Sequence, residues 1–215
     1  MSAPVSHLSA VGMVAKRALD LILSGAGLLV SAPLLIVITA AIKADSRGPV
    51  FFTQERVGER GRLFRALKFR SMVVDAEEGV GPLQAVERDP RVTRVGRILR
   101  ATAMDELPQL WNIFRGDMSF VGPRALRPDE LEVKGGGANA VALDAIPGFT
   151  ERSAIRPGLT GLAQIYAPRD VLRRHKFRYD RLYIRRWSFG LDLRLIFLSF
   201  WISARGTWEG RGRKF

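Results

Sequence analysis

Two adjacent carboxylates, Asp105 and Glu106, sit in the run richest in chemically useful residues, RILRATAMDELPQLWNIFRGDMSFVGPR from Arg97 to Arg124. Pro108 follows closely, and because proline is tolerated only in the first turn of a helix, a helix is expected to begin within a residue or two of the pair. Carboxylates placed there feel the positive end of the helix dipole and can accept backbone N–H groups, which favours the ionised form. An ionised, oriented carboxylate is what a phosphorus electrophile needs as nucleophile. The same residue types also cap helix N-termini without any catalytic role, so spacing alone leaves both readings open. Cations suited to phosphate lie outside this run. Lys68 and Arg70 flank Phe69 in LKFRSM, so on a strand they share one face. Arg156 opens RPGLTG, a turn whose glycines let backbone amides approach a ligand. Each cation taken singly also suits an ordinary surface, and neither phosphate-loop signature, GxxxxGKS/T or GxGxxG, is present.

Other chemistries are excluded by what the chain lacks. It has no cysteine, so disulfides, thiolate metal sites and cysteine nucleophiles are ruled out. Its two histidines, His7 and His175, make a histidine triad or a His-rich metal site improbable. Catalysis therefore falls to carboxylates, hydroxyls and cations. The 215 residues, 47% of them hydrophobic, suit one domain with a small appendage. The net charge of +13 implies an anionic partner: nucleic acid, an acidic lipid surface or a phosphorylated substrate. That surplus lies mostly between residues 43 and 100 and in the C-terminal 169–215, while 101–168, around the dyad, is slightly acidic.

The elements that must position these residues follow from patterning. Residues 50–56 and 63–70 are apolar-aromatic runs separated by VGERGR, a β-hairpin signature with a cationic exit. Residues 75–91 read as loop, Arg97 to Phe114 as helix interrupted near Pro108, and 134–148 as a flexible loop. From Leu21 to Ile42 the chain runs 22 residues without a charge, enough to cross a hydrocarbon core. Pro33 interrupts that run, with Ala32 before it, and positive residues lie outside both ends. This pattern is expected to form a re-entrant helix-break-helix that enters and leaves the cytoplasmic face; a kinked spanning helix and a cleaved signal peptide are the alternatives. Phe189 to Ile202 is apolar but carries Asp192 and Arg194 between Trp187 and Trp201, which suits an interfacial or a buried core helix. The cationic helix pattern before it suits anionic headgroups or a solvated face.

Together, KRALDLIL at 16–23, GPVFFTQERVG at 48–58, LKFRSM at 67–72, the 99–124 block, RPGLTGLAQI at 156–165 and YDRLYIRRWSFGLDLRLIF at 179–197 carry a resemblance that covers about residues 14–203. The chain resembles the small monotopic phosphoglycosyl transferases, also called the bacterial sugar transferase family. The resemblance implies transfer of a sugar-1-phosphate from a UDP-sugar to polyprenyl (undecaprenyl) phosphate, with release of UMP. It implies that Asp105 attacks the β-phosphate to form an aspartyl phosphosugar, and that Glu106 assists proton removal from the acceptor. It also implies Mg²⁺, with Asp105 as its ligand. Lys68, Arg70, Arg100, Arg124 and Arg156 then form the substrate-binding set.

The fold class expected is α+β, mainly helical, with the membrane hairpin, a small β-hairpin and amphipathic interfacial helices. The expected layout is an N-terminal tail (1–15), the membrane hairpin (16–43), a catalytic domain with interfacial helices on the cytoplasmic face of the bacterial inner membrane (44–203) and a basic tail (204–215). Expected partners are the donor, the lipid acceptor and anionic lipid. Nucleic acid is not among them, and a homodimer is open to a chain of this size. One departure is that many family members place Ser directly before the membrane proline, whereas here Ser31 stands one residue earlier. With so little chain ahead of the family's start, the resemblance is to the minimal catalytic form. Two competing classes are a membrane-tethered nucleic-acid-binding protein, suggested by arginines interleaved with aromatics over 173–187, and a non-catalytic scaffold of a glycan assembly complex.

Overall fold

A computed structural model describes residues 10–74, 76, 89–128, 130–134, 139–168 and 171–205. Residues 1–9 of the expected N-terminal tail, 206–215 of the expected basic tail and most of the expected 75–91 loop lie outside these residues. Helix α1 (Ala10–Asp45) is one 36-residue helix that contains Pro33 and begins earlier than the expected hairpin. At 1.5 Å per residue it is about 54 Å long. Among the described residues it is the one helix long and apolar enough to cross a membrane. Helical assignment continues through Pro33, so the expected division into two separate helices is not present. The Ser31 hydroxyl is buried without a hydrogen-bond partner, so it does not serve a carbonyl freed by the proline.

Both halves of α1 dock on the same body. In the first half, Leu19, Leu23 and Leu28 pack on the main core. Asp20, buried, accepts from the Ser119 hydroxyl (3.0 Å) and the Phe120 N–H (2.9 Å). Arg17 donates to the carbonyls of Ile113 and Phe114 at 2.7 and 2.8 Å. In the second half, Ile38 and Ile42 pack against Phe69 and Leu99, and Asp45 accepts from the Val95 N–H at 3.0 Å.

Strands β1 (Phe51–Val57) and β2 (Leu63–Phe69) form the expected antiparallel hairpin, in a register that pairs Phe52 with Lys68 and Arg56 with Phe64. Because opposite residues share a face, Arg56, Phe64, Ala66 and Lys68 all lie on one side. Phe64 and Ala66 are buried in the main core, so the hairpin's inward face carries two cations. After α2 (Arg94–Thr102) and α3 (Gln109–Arg115) comes β3 (Ser119–Val121), which pairs in parallel with β6 (Gly158–Thr160). That pairing brings the backbones of Gly122 and Gly158 together: a Cβ at Gly158 would lie 2.0 Å from the Gly122 nitrogen. Only glycine tolerates such an approach, and it sets Arg124 beside the Arg156–Gly158 turn.

Residues 134–148, expected to be a flexible loop, are partly regular. Strands β4 (Leu131–Lys134) and β5 (Asn139–Ala142) pair antiparallel, and a one-turn 3-10 helix covers Leu143–Ala145. Leu143 and Ile146 are buried with Phe177 in a small satellite core, which is the packing that orders this stretch. Helices α4 (Phe149–Ser153), α5 (Leu162–Tyr166), α6 (Arg173–Arg185) and α7 (Phe189–Ala204) complete the described chain. Helix α7 has the expected buried side, Leu195, Ile196 and Ile202, and an exposed apolar side, Phe197, Phe200 and Trp201.

Candidate active site

The acidic pair is positioned by a sharp change of backbone direction. Helix α2 ends at Ala103, which adopts the left-handed conformation (φ 57°) that favours glycine. A one-turn 3-10 helix, Met104–Glu106, follows and carries both carboxylates. Helix α3 begins at Gln109 with Pro108 as its N-cap, two residues past Glu106 and close to the expected start, and the pair itself stands on its own turn ahead of α3. Within α3, Asn112 acts as a clamp. Its side chain accepts from the Leu67 N–H (2.9 Å) and donates to the Arg65 carbonyl (2.8 Å), completing the open edge of β2. The DELPQLWN segment thereby holds Lys68 in register with Glu106.

The two carboxylates are in unequal states. Glu106 accepts a hydrogen bond from the Lys68 ammonium, and the Arg124 guanidinium lies 3.8 Å away. Burial by itself would raise its pKa, but Lys68, Arg124 and Arg56 outweigh burial and hold it at about 2. The Asp105 carboxylate has no hydrogen bond or ion pair among the described residues. Burial and the neighbouring Glu106 charge push its pKa up to about 6, against the pull of Lys68, Arg100 and Arg124. The ionised form expected of both groups is favoured at Glu106 alone, and there by Lys68, Arg124 and Arg56 and not by a helix N-terminus. A cleft beside the dyad is lined by Arg56, Lys68, Glu106, Gln109, Arg124 and Leu159.

Lys68, Arg100 and Arg124 are thus brought to the dyad. Arg70 is not: β2 has ended, the side chain is 6% exposed, and it donates to the carbonyls of Arg47 (2.6 Å) and Ser46 (2.8 Å). It pins the link between α1 and β1. Arg156 pairs with Glu59 of the hairpin turn at 3.4 Å. Ala32 and Pro33 are exposed on α1, remote from the dyad in sequence. Of the aromatic residues interleaved with the arginines of α6, Phe177 and Tyr183 are each 1% exposed and so are closed to base stacking. Arg181 of the same helix pairs with Glu151 at 3.0 Å.

Sequence patterning does not single out Arg56 or Gln109, which both line the cleft. Alternation in FFTQER, read against the hairpin register, places Arg56 on the inward face with Lys68, and a cation on a core-facing side was the signal available. The Arg56 guanidinium donates to the Ala125 carbonyl at 3.1 Å, and burial with nearby Arg124 lowers its pKa to about 10.

The state of Asp105 predicts a cost to stability. Its folded-state pKa lies above the ordinary 3.8, so ionising it opposes folding; the cost is absent below about pH 4, grows toward about pH 6 and is complete above that. Asp105→Asn removes the charge. Thermal unfolding in detergent is expected to give the same Tm for variant and wild type at pH 4, and a Tm a few degrees higher (about 3 °C) for the variant at pH 8. A variant less stable than wild type at pH 8 would contradict the unequal dyad.

The architecture is that of an α+β protein with a long apolar helix docked along a small body, and with a cation-lined cleft into which Glu106 of the acidic pair faces. The chain belongs to the bacterial sugar transferase family, which it matches over residues 11–206. It is 44% identical over 199 residues to the undecaprenyl-phosphate glucose phosphotransferase of Komagataeibacter xylinus, covering 89% of this chain and 36% of that protein. It is likewise 44% identical over 199 residues to the UDP-glucose:undecaprenyl-phosphate glucose-1-phosphate transferase of Klebsiella pneumoniae, covering 90% of this chain and 41% of that protein. A shorter relative, the exopolysaccharide production protein PSS of Rhizobium leguminosarum bv. phaseoli, is 41% identical over 190 residues, covering 86% of this chain and 92% of that protein. The chain thus spans about two fifths of the length of the first two relatives.

Proposed function

We propose that the chain is a monotopic phosphoglycosyl transferase that moves glucose-1-phosphate from UDP-glucose to undecaprenyl phosphate and so initiates a surface polysaccharide. The observation that carries this reading is the unequal dyad: Glu106 is tied to Lys68 and Arg124, while the adjacent Asp105 carboxylate is untied and faces the same cations. The donor follows the activity named for the Klebsiella relative, and the polysaccharide follows the exopolysaccharide production named for the Rhizobium relative.

In the first half-reaction an Asp105 oxygen attacks the β-phosphorus, the bond to the bridging oxygen breaks, and UMP departs with the bonding pair. In the second, a phosphate oxygen of the lipid attacks the aspartyl phosphosugar and the Asp105 carboxylate is regenerated. Lys68, Arg100 and Arg124 offset the charge that gathers as two anions meet. With a pKa of about 2, Glu106 is a weak proton acceptor, so its supported role is to orient Lys68.

Magnesium keeps several waters and binds through one or two carboxylates plus substrate phosphates. The described residues contain no group of three or more His, Cys, Asp or Glu that would form a closed cage. The untied Asp105 carboxylate, adjacent to the Glu106 that lines the cation-rich cleft, fits an open site of that kind, with Asp105 as the protein ligand. When bound, the ion supplies neutralisation of the departing phosphate.

The membrane placement rests on α1. A helix that spans leaves one half surrounded by lipid, whereas here Lys16, Arg17 and Asp20 of the first half and Ile38, Ile42 and Asp45 of the second all contact one body. Leu29, Val30, Ile36 and Val37, around Pro33, stay exposed and apolar. This supports a re-entrant segment dipping into the cytoplasmic leaflet of the inner membrane, with the exposed Phe197, Phe200 and Trp201 of α7 at the interface. Since the chain has no cysteine, single introduced cysteines report topology cleanly. Val11→Cys and Arg65→Cys are both expected to react with an impermeant thiol reagent only from the cytoplasmic side; periplasmic labelling of Val11→Cys would sink the re-entrant reading. The catalytic proposal is tested by UMP release from UDP-glucose with undecaprenyl phosphate and Mg²⁺ in detergent. No UMP with any UDP-sugar would overturn it.

A further inference from the structure

Gln109 stands at the start of α3, 4% exposed, and its side-chain Nε2 is buried with no hydrogen-bond partner. It lines the same cleft as Lys68, Glu106 and Arg124. Leaving a buried amide donor unpaired costs free energy, and an apolar side chain of the same shape would avoid the cost. An unpaired donor in a cation-lined cleft is therefore a site prepared for an acceptor that arrives with the ligand. The cations there set the ligand's sign. Arg56, Lys68 and Arg124 line the cleft with Glu106, and even with the adjacent Asp105 carboxylate counted, three cations there meet two carboxylates, so an anionic oxygen completes both the charge and the hydrogen bonding.

We infer that Gln109 is a substrate-binding residue whose side-chain N–H donates to a phosphoryl oxygen of the bound substrate. This rests on the phosphoglycosyl transfer proposed above and adds a contact to it. Both substrates carry phosphate, so the inference covers the donor diphosphate and the lipid phosphate alike. The anchoring is firm: Leu110 and Ile113 of the same helix are core residues and Asn112 is clamped to β2, so the amide reaches the cleft from a fixed backbone.

The test compares full-length wild type with Gln109→Met, a swap of similar size and shape that removes the donor. Three readouts are taken in detergent: the ligand-free Tm, the Tm rise caused by inorganic pyrophosphate, and KM and kcat for UDP-glucose and undecaprenyl phosphate. Expected are a ligand-free Tm equal to or above wild type, a diminished pyrophosphate effect, and a KM raised about tenfold for one substrate with kcat little changed. A merely structural glutamine would give the opposite sign in Tm. The substrate whose KM rises identifies the phosphate that Gln109 meets. If wild type releases no UMP from any UDP-sugar, the proposed function fails, while the pyrophosphate readout still decides the role of Gln109. A Gln109→Met variant with lower Tm, one with unchanged pyrophosphate response and unchanged KM values, or a wild type that pyrophosphate does not stabilise, overturns the inference.

Discussion

Asp105→Asn is expected to lower turnover by about four decades or more, and to abolish the phosphosugar adduct that wild type acquires when incubated with donor alone. Asparagine matches the shape of aspartate but has no nucleophilic oxygen, and the neighbouring Lys68–Glu106 pair does not depend on it. The loss should therefore be chemical, with the fold intact. Mass spectrometry of protein treated with UDP-glucose and Mg²⁺ reads the adduct directly, and the unchanged or raised Tm expected at pH 8 separates lost chemistry from lost structure. Glu106→Gln is expected to differ. It frees Lys68 from its ionic partner while leaving Asp105 in place, so the adduct should still form, but slowly. An adduct on Asp105→Asn, or its absence from wild type during active turnover, would refute the two-step mechanism.

How far the sequence foretold this site depends on whether the signal was local. The hairpin is legible because two apolar-aromatic runs and the glycines of VGERGR between them are short-range patterns, whereas its register is given by the structure. The dyad stood out because DELPQLWN is dense in unusual residues. Its electrostatic state was not legible, because Lys68 is 38 residues from Glu106 and their contact depends on Asn112 holding the edge of β2. Arg70 illustrates the limit of face-sharing arguments: alternation with Lys68 stops where the strand stops, and its guanidinium turns to Ser46 and Arg47 instead. The stretch 134–148 reads as loop from its glycines, yet Leu143 and Ile146 find partners in Phe177, which is distant in sequence. Proline at 33 marks a weak point in α1, but whether a helix separates there depends on what packs against each half, and that is set by Phe69, Leu99 and the main core.

Asp192→Ala should be the most destabilising single change, by about 3–5 kcal/mol. Asp192 is 1% exposed in the first turn of α7. It accepts from the Lys16 ammonium (2.7 Å), the Tyr183 hydroxyl (2.7 Å) and the Trp187 indole N–H (3.1 Å). Removing it strands a cation and two further donors at the junction of α1, α6 and α7. At about 2–4 °C per kcal/mol for a chain of this size, thermal unfolding in detergent should fall by roughly 10 °C. The effect should reach the site as well, since Lys16 also donates to the Val121 carbonyl at 2.9 Å, three residues before Arg124, which lies beside Glu106. Loosening α1 therefore loosens a phosphate-facing cation, and KM for the donor should rise in whatever fraction stays folded. Adding Lys16→Met to Asp192→Leu should restore much of the lost stability, because a buried pair replaced as a unit leaves no uncompensated charge. A Tm for Asp192→Ala within 2 °C of wild type (under about 1 kcal/mol) would mean that α1 is held by its apolar contacts alone, with the ionic junction contributing little.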